Sequence, residues 1–160
     1  MGFDVTSFLR GLIGRKEKLA AIKVLALKEV AEEMKNRIQK RIFGDGKNEK
    51  EVPIGLESRP HPDGTPATKY SKSYKRVREK FGKQTAKIDY NFTGRLKSQL
   101  AVVWTISGSI KIEIQGDRAK IAQYLDERRP KTFAPTMTEK ALAKSLLGRK
   151  LLVYKKQAEI

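Results

Sequence analysis

The chain of 160 residues has no cysteine and one histidine, and none of its apolar runs approaches the roughly 18 residues a membrane-spanning helix needs. Without cysteine there is no disulfide framework and no thiolate metal site, so stability has to come from packing or from neighbouring subunits. The first residues also lack the basic-then-apolar order of a signal peptide, and the cytoplasm is the expected compartment of synthesis. Met1-Gly2-Phe3-Asp4-Val5-Thr6 fits the bare N-myristoylation pattern, but a pattern this short recurs by chance, and no membrane partner is expected. Acidic residues are scarce as well: 18 Asp and Glu stand against 35 Lys and Arg, a formal net charge of +17.

Catalytic signatures are missing in the same way. There is no phosphate-cradling glycine loop, no metal-ligand cluster and no nucleophile elbow. A hydrolytic triad would have to use His61, which sits between Pro60 and Pro62 with no partner nearby in sequence. Glu29, Glu32 and Glu33 share one segment, but the lysines around them point to surface charge balance and not to a metal site. The expectation is a protein that is not an enzyme and takes no cofactor or metal.

What is present begins with charge. The stretch from Lys69 to Lys97 holds ten basic and two acidic residues, and that from Arg118 to Lys156 holds eleven and three, while residues 1–68 are nearly balanced. Such an excess favours polyanionic partners. With 39% apolar residues the chain can build one core, and a single domain is expected.

The pattern along the chain predicts an α+β fold: an antiparallel sheet packed by a long N-terminal helix and a C-terminal helix, with a long central loop. Residues 1–18 read as an N-terminal arm, with a short amphipathic piece from Ser7 to Ile13 broken around Gly11 and Gly14. Over residues 19–43, Leu27, Val30, Met34, Ile38 and Ile42 recur at spacings of three and four, one face of a helix. Residues 44–69, with Pro53, Pro60, Pro62 and Pro66, predict a loop that is mobile in an isolated subunit and ordered by neighbours. Tyr70, Tyr74, Val77 and Phe81 then form a helical stripe, read as core with base stacking by interleaved aromatic and basic residues as the alternative; Ser71 is the cap, Gly82 the stop, and Lys72, Lys75, Arg76, Arg78 and Lys80 the opposite face. Leu100, Val102, Trp104 and Ile106, then Ile110, Ile112 and Ile114, alternate as two half-buried strands around Ser107-Gly108-Ser109. A helical turn or two from Arg118 to Asp126 and a short strand near Thr132-Phe133 follow, and Thr136 with Glu139 forms a capping box opening the last helix.

The order of segments carries a resemblance. Tyr70-Ser71-Lys72-Ser73-Tyr74, Lys80-Phe81-Gly82, Asp89 to Ser98 with Thr93-Gly94-Arg95-Leu96, a strand pair, and Arg128 to Thr136 with its Phe133 and Pro135 succeed one another. This set resembles the virion-morphogenesis and tail-completion proteins of tailed bacteriophages over about residues 65 to 150. Where that family has a tyrosine-alanine pair and a glycine before the arginine-phenylalanine turn, this chain has Ala122-Gln123-Tyr124 and Asp126-Glu127. The resemblance implies a ring-forming subunit of a head–tail connector, neck or tail-completion assembly in the virion, with copies of itself and portal, connector or tail proteins as neighbours. It implies no reaction, and it makes Thr93-Gly94 a helix cap. Within that reading Lys72, Lys75, Arg76, Arg78, Arg128 and Arg129 are the candidate residues for non-specific contact with packaged DNA or a charged channel partner. The alternative is a basic nucleic-acid-binding protein, ribosomal or architectural, which the charge alone supports equally well.

Overall fold

Alanine, leucine, lysine and glutamate fill most of residues 16–35, and these residue types lose least on entering a helix. In the computed structural model, which describes residues 5–91, 93–104, 110–128 and 132–158 (residues 5–13 and 128 by their backbone alone), helix α1 runs unbroken from Val5 to Gln39. The break expected around Gly11 and Gly14 does not occur: an isolated glycine costs a helix only about 1 kcal/mol, which a helix this long absorbs. Ile22, Ala26, Val30, Met34, Ile38 and Ile42 are buried, one every fourth residue. Such a row winds slowly round the helix, and α1 packs against two partners, the β-hairpin and the C-terminal helix.

A π-helical turn, Lys40–Asp45, follows α1 and buries Arg41, Ile42 and Phe43. It ends at Gly46, whose φ of 67° is left-handed and whose N–H returns to the Arg41 carbonyl. A Cβ at Gly46 would lie 2.4 Å from the Ile88 carbonyl oxygen, so only glycine lets these two strands of chain approach.

The segment after Gly46 is irregular, as expected, but it folds back on its own chain. Asn48 accepts the Lys50 N–H through its side chain at 2.9 Å, an Asx-turn, and the turn closes with Ile54 N–H on the Gly46 carbonyl. Ile54 enters the core with Ile38, Ile42, Ile88, Leu96 and Leu100. Gly55 packs directly on Ala67, where a Cβ would meet the carbonyl oxygen at 2.2 Å. These anchors are intramolecular.

Strands β1, Leu100–Trp104, and β2, Ile110–Ile114, pair antiparallel with Leu100 opposite Ile114, Val102 opposite Ile112 and Trp104 opposite Ile110. The alternation foreseen in the sequence shows in the burial of β2, where Lys111 and Glu113 are exposed between Ile110, Ile112 and Ile114, whereas β1 tapers from buried Leu100 to Trp104, which is 40% exposed. Ile106 and the Ser107-Gly108-Ser109 turn lie outside the described residues. Thr132 to Ala134 form bends and not the short strand expected near Thr132-Phe133. The Thr132 and Ala134 carbonyls are taken up by an arginine side chain, and the Thr132 and Phe133 N–H groups by Asp126.

The other helices are α2, Lys72–Lys80, the single turn α3, Arg95–Ser98, α4, Ala119–Arg128, and α5, Met137–Gln157. The α5 capping box is present as predicted: Thr136 Oγ1 accepts the Glu139 N–H at 2.9 Å, and Glu139 Oε2 accepts the Thr136 N–H at 2.8 Å. Glu29 on α1 meets Lys150 and Tyr154 on α5 while Arg41 meets Glu139, so the two helices run antiparallel. That pairing leaves residues 5–21 of α1, roughly 25 Å at 1.5 Å per residue, beyond the end of α5.

Glu139 has a second task. Its Oε1 accepts from Arg41 Nε at 3.0 Å, with both side chains under 10% exposed. Arg41 also donates to the Lys47, Thr132 and Ala134 carbonyls at 3.2, 3.1 and 2.8 Å. One guanidinium thus joins the end of α1, the loop, the bends before α5 and the α5 cap. Replacing Arg41 with Met should destabilise the chain by about 3–5 kcal/mol in urea unfolding, because it leaves a buried carboxylate and three carbonyls unanswered. A loss under about 1 kcal/mol would show that the junction is not held this way.

Candidate functional site

The most basic helix, α2, is built differently from its sequence pattern. Tyr74, Val77 and Phe81, read as a core stripe, are 40, 43 and 61% exposed, while Arg78, read as surface, is 1% exposed. Arg78 Nη2 donates to Asp89 at 3.2 Å, Nε donates to the Gln84 carbonyl at 2.8 Å, and the guanidinium lies 4.4 Å from the Tyr70 ring centroid. The Tyr70 hydroxyl in turn donates to Asp89 Oδ1 at 2.9 Å and accepts the Asp89 N–H at 3.0 Å. Burial, above all, pushes the Tyr70 phenol well above its ordinary pKa. Tyrosine, arginine and aspartate form one buried unit, which removes Arg78 from the set of partner-facing cations.

Lys72, Lys75 and Arg76 are exposed on α2, as expected. Arg128 closes the backbone of α4, and Arg129 lies outside the described residues. Lys72 and Lys75 border a hollow they share with Asp63 and Lys69. Ser71, the expected cap, makes no side-chain capping bond; Asp63 takes its place, accepting the Lys72 N–H at 2.6 Å and the Thr65 N–H at 2.9 Å. Bonds from Thr65, joined by the Lys72 N–H, hold the Asp63 carboxyl down to about 2. At the other end of α2, Gly82 at φ 62° places its N–H on the Glu79 carbonyl and the Lys83 N–H on the Arg78 carbonyl, a Schellman stop.

On another side of α2 lies a groove of about 640 Å³, walled by Tyr74 of α2 and by Ile121 and Tyr124 of α4. Tyr70, Tyr90 and Leu96 also line it. Arg78, Arg95 and Arg118 border it, and no carboxylate is among its lining residues. Ile121 and Tyr124 are 39 and 50% exposed, so the α4 wall is apolar and open to solvent. Tyr90 has a φ of 49°, uncommon for a bulky residue, and its ring stacks on Phe133 at 6.1 Å. Arg118 is fixed from both sides, its N–H on Gln99 Oε1 at 3.1 Å and its Nε 3.3 Å from Asp117 Oδ2. Thr93 Oγ1 accepts the Arg95 N–H at 3.4 Å beside Gly94 at φ 78°, the helix start that the sequence led one to expect.

Sequence reasoning did not single out Arg95 or Arg118 as site residues. Arg118 to Asp126 read as a helical turn or two, and a one-dimensional pattern does not carry the outward direction of Ile121 and Tyr124. The other polar candidates have structural partners. The His61 Nε2–H donates to the Lys69 carbonyl at 2.9 Å, and Glu29, Glu32 and Glu33 are each engaged by a cation, Lys150, Lys35 and Arg37. Among the described residues no helix is long and apolar enough to cross a membrane. No family model matches the chain, and neither a curated protein nor a solved structure does.

Two outcomes follow. Arg78→Ala should cost about 3–5 kcal/mol of stability, whereas alanine at Lys72 or Arg76 should stay within about 0.5 kcal/mol, as urea unfolding would show. Asp63 has a folded pKa of about 2 against about 3.9 unfolded, so the stability it adds is complete above about pH 4 and disappears as pH falls through 2. The Asp63→Asn chain should therefore have a flatter melting temperature between pH 4 and 2 than the parent; equal slopes would dismiss the capping role.

Proposed function

We propose that the chain is a structural subunit of a tailed-phage head–tail connector, neck or tail-completion ring, acting by position and not by catalysis. The observation that carries the assembly half of this reading is surface. The chain exposes 11233 Å², against about 8,100 Å² for a compact monomer of its 18.1 kDa. The excess, about 3,000 Å², is surface that neighbouring subunits could cover. Apolar side chains contribute to it on both long helices: Val24 and Leu25 on α1, Leu152 and Val153 on α5, all about half or more exposed.

The phage half rests on the resemblance of the ordered segments, and the residues that carry it are those around which the fold is organised. Tyr70 and Asp89 make the buried unit with Arg78, Gly94 turns the chain into α3, and Thr136 caps α5. A ring of such subunits would present α2, with Lys72, Lys75, Arg76 and Lys80 exposed, to packaged DNA or to an acidic channel wall. Lysine and arginine on phosphates release counterions without reading bases, so that contact would be sequence-independent and salt-sensitive.

Light scattering on the purified chain should give a closed oligomer, and negative-stain images should show rings. A chain that stays monomeric at high concentration yet binds DNA with a steep salt dependence would overturn the ring and favour a nucleic-acid-binding protein. In particles, a variant with Lys72, Lys75 and Arg76 all changed to Glu should form normal rings and retain less genome; full retention would remove DNA as the partner of α2.

A further inference from the structure

The groove between α2 and α4 has a composition that solvent alone does not explain. Tyrosine and arginine dominate it, the pair most enriched where partner chains bind tightly, and its volume suits a site that buries several side chains. Val77 and Phe81 extend its apolar character along α2, at 43 and 61% exposed.

Three observations narrow the occupant. First, Arg95 and Arg118, the latter shared with Asp117, border the groove, and no carboxylate is among the described residues that line it, so it is complementary to negative charge. Second, a copy of this chain brings the wrong sign: its net charge is +17, and the α1 extension over residues 5–21 carries four basic residues and one acidic. Third, the exposed wall contains Ile121 and, beyond it, Val77, aliphatic side chains that gain from burial against other apolar groups and offer nothing to a phosphodiester backbone. Lys72 and Lys75, the cations better suited to a phosphate chain, border the separate hollow with Asp63.

We propose that the α2–α4 groove is a docking site for an acidic amphipathic segment of a different protein, its carboxylates on Arg95 and Arg118 and its apolar side chains between Tyr74, Ile121 and Tyr124. The mode is a short segment laid into a preformed groove, charge-assisted hydrogen bonds fixing its register and apolar burial holding it. This site is independent of ring formation and of any DNA contact by α2.

Calorimetry on the full chain tests it with a synthetic helical peptide of about 15 residues, some four turns, with glutamate on one face and leucine and phenylalanine on the other. The parent chain should bind this peptide, and its glutamine-for-glutamate version about tenfold or more weakly. Arg95→Gln with Arg118→Gln should weaken binding about tenfold or more, and Ile121→Asp should do the same, each with an unchanged circular dichroism spectrum. The Lys72→Glu, Lys75→Glu chain should bind the peptide at least as well as half the parent affinity while losing affinity for a single-stranded oligodeoxynucleotide. The proposal fails if the peptide does not bind, or if the glutamine version binds equally. It also fails if the arginine pair and Ile121→Asp leave affinity unchanged in folded protein, or if an oligodeoxynucleotide displaces the peptide and depends on the same groove residues. If Ile121→Asp instead converts an oligomer to monomer, the groove belongs to a second copy and the proposal is wrong.

Discussion

Arg41 is a cation placed where water does not reach, and the junction of this fold is arranged so that the placement is tolerable. Moving a charged group out of water costs several kcal/mol even after relaxation, and the cost is offset only when every donor finds an acceptor. A guanidinium can meet that requirement because its five N–H groups form a rigid planar fork, whereas a lysine ammonium offers three donors from a single point. Arg41 uses the fork on Glu139 and on three carbonyls from two separate segments. The bends at Thr132 and Ala134 exist to supply those carbonyls, and the α5 cap exists partly to aim Glu139. Helices α1 and α5 therefore meet at one defined angle and register.

Much of this architecture was legible in the residues. The four-residue spacing from Val30 to Ile42 marks the buried face of α1, the alternation around Val102 and Ile112 marks the hairpin, and Thr136 with Glu139 marks the start of α5, because each signal is local and each element satisfies it locally. The burial of Arg41 and Arg78 was not legible. An arginine goes inside only when groups that its own pattern does not announce are ready for it, and three of the four partners of Arg41 lie more than ninety residues away. Tyr74, Val77 and Phe81 stay exposed although Arg78, on the same side of α2, is buried; periodicity defines a face and is silent on what covers it. The loop was misread for a related reason. Its glycines and prolines signal irregular backbone, and irregular is not the same as loose when Gly46 and Gly55 are the points of closest approach between segments.

The two buried ion pairs also sort the remaining charge. Arg41 and Arg78 are neutralised inside, Lys35, Arg37 and Lys150 are balanced along the α1 surface, and the rest is spread over α2, α5, the N-terminal part of α1 and the groove border. The candidate surfaces are thus a residue of the folding solution: the cations that the interior and the helix faces do not absorb. The groove differs from the rest of the basic surface in pairing charge with exposed aliphatic and aromatic groups, and that mixture, more than charge, separates a site for protein from a site for phosphate.

The length of α1 has a mechanical consequence. The helix is clasped at its C-terminal half by the hairpin and by α5, and it continues well past both. The roughly 25 Å that projects is a free arm, so a tilt of about 5° where the hairpin and α5 release the helix carries its far end through about 2 Å.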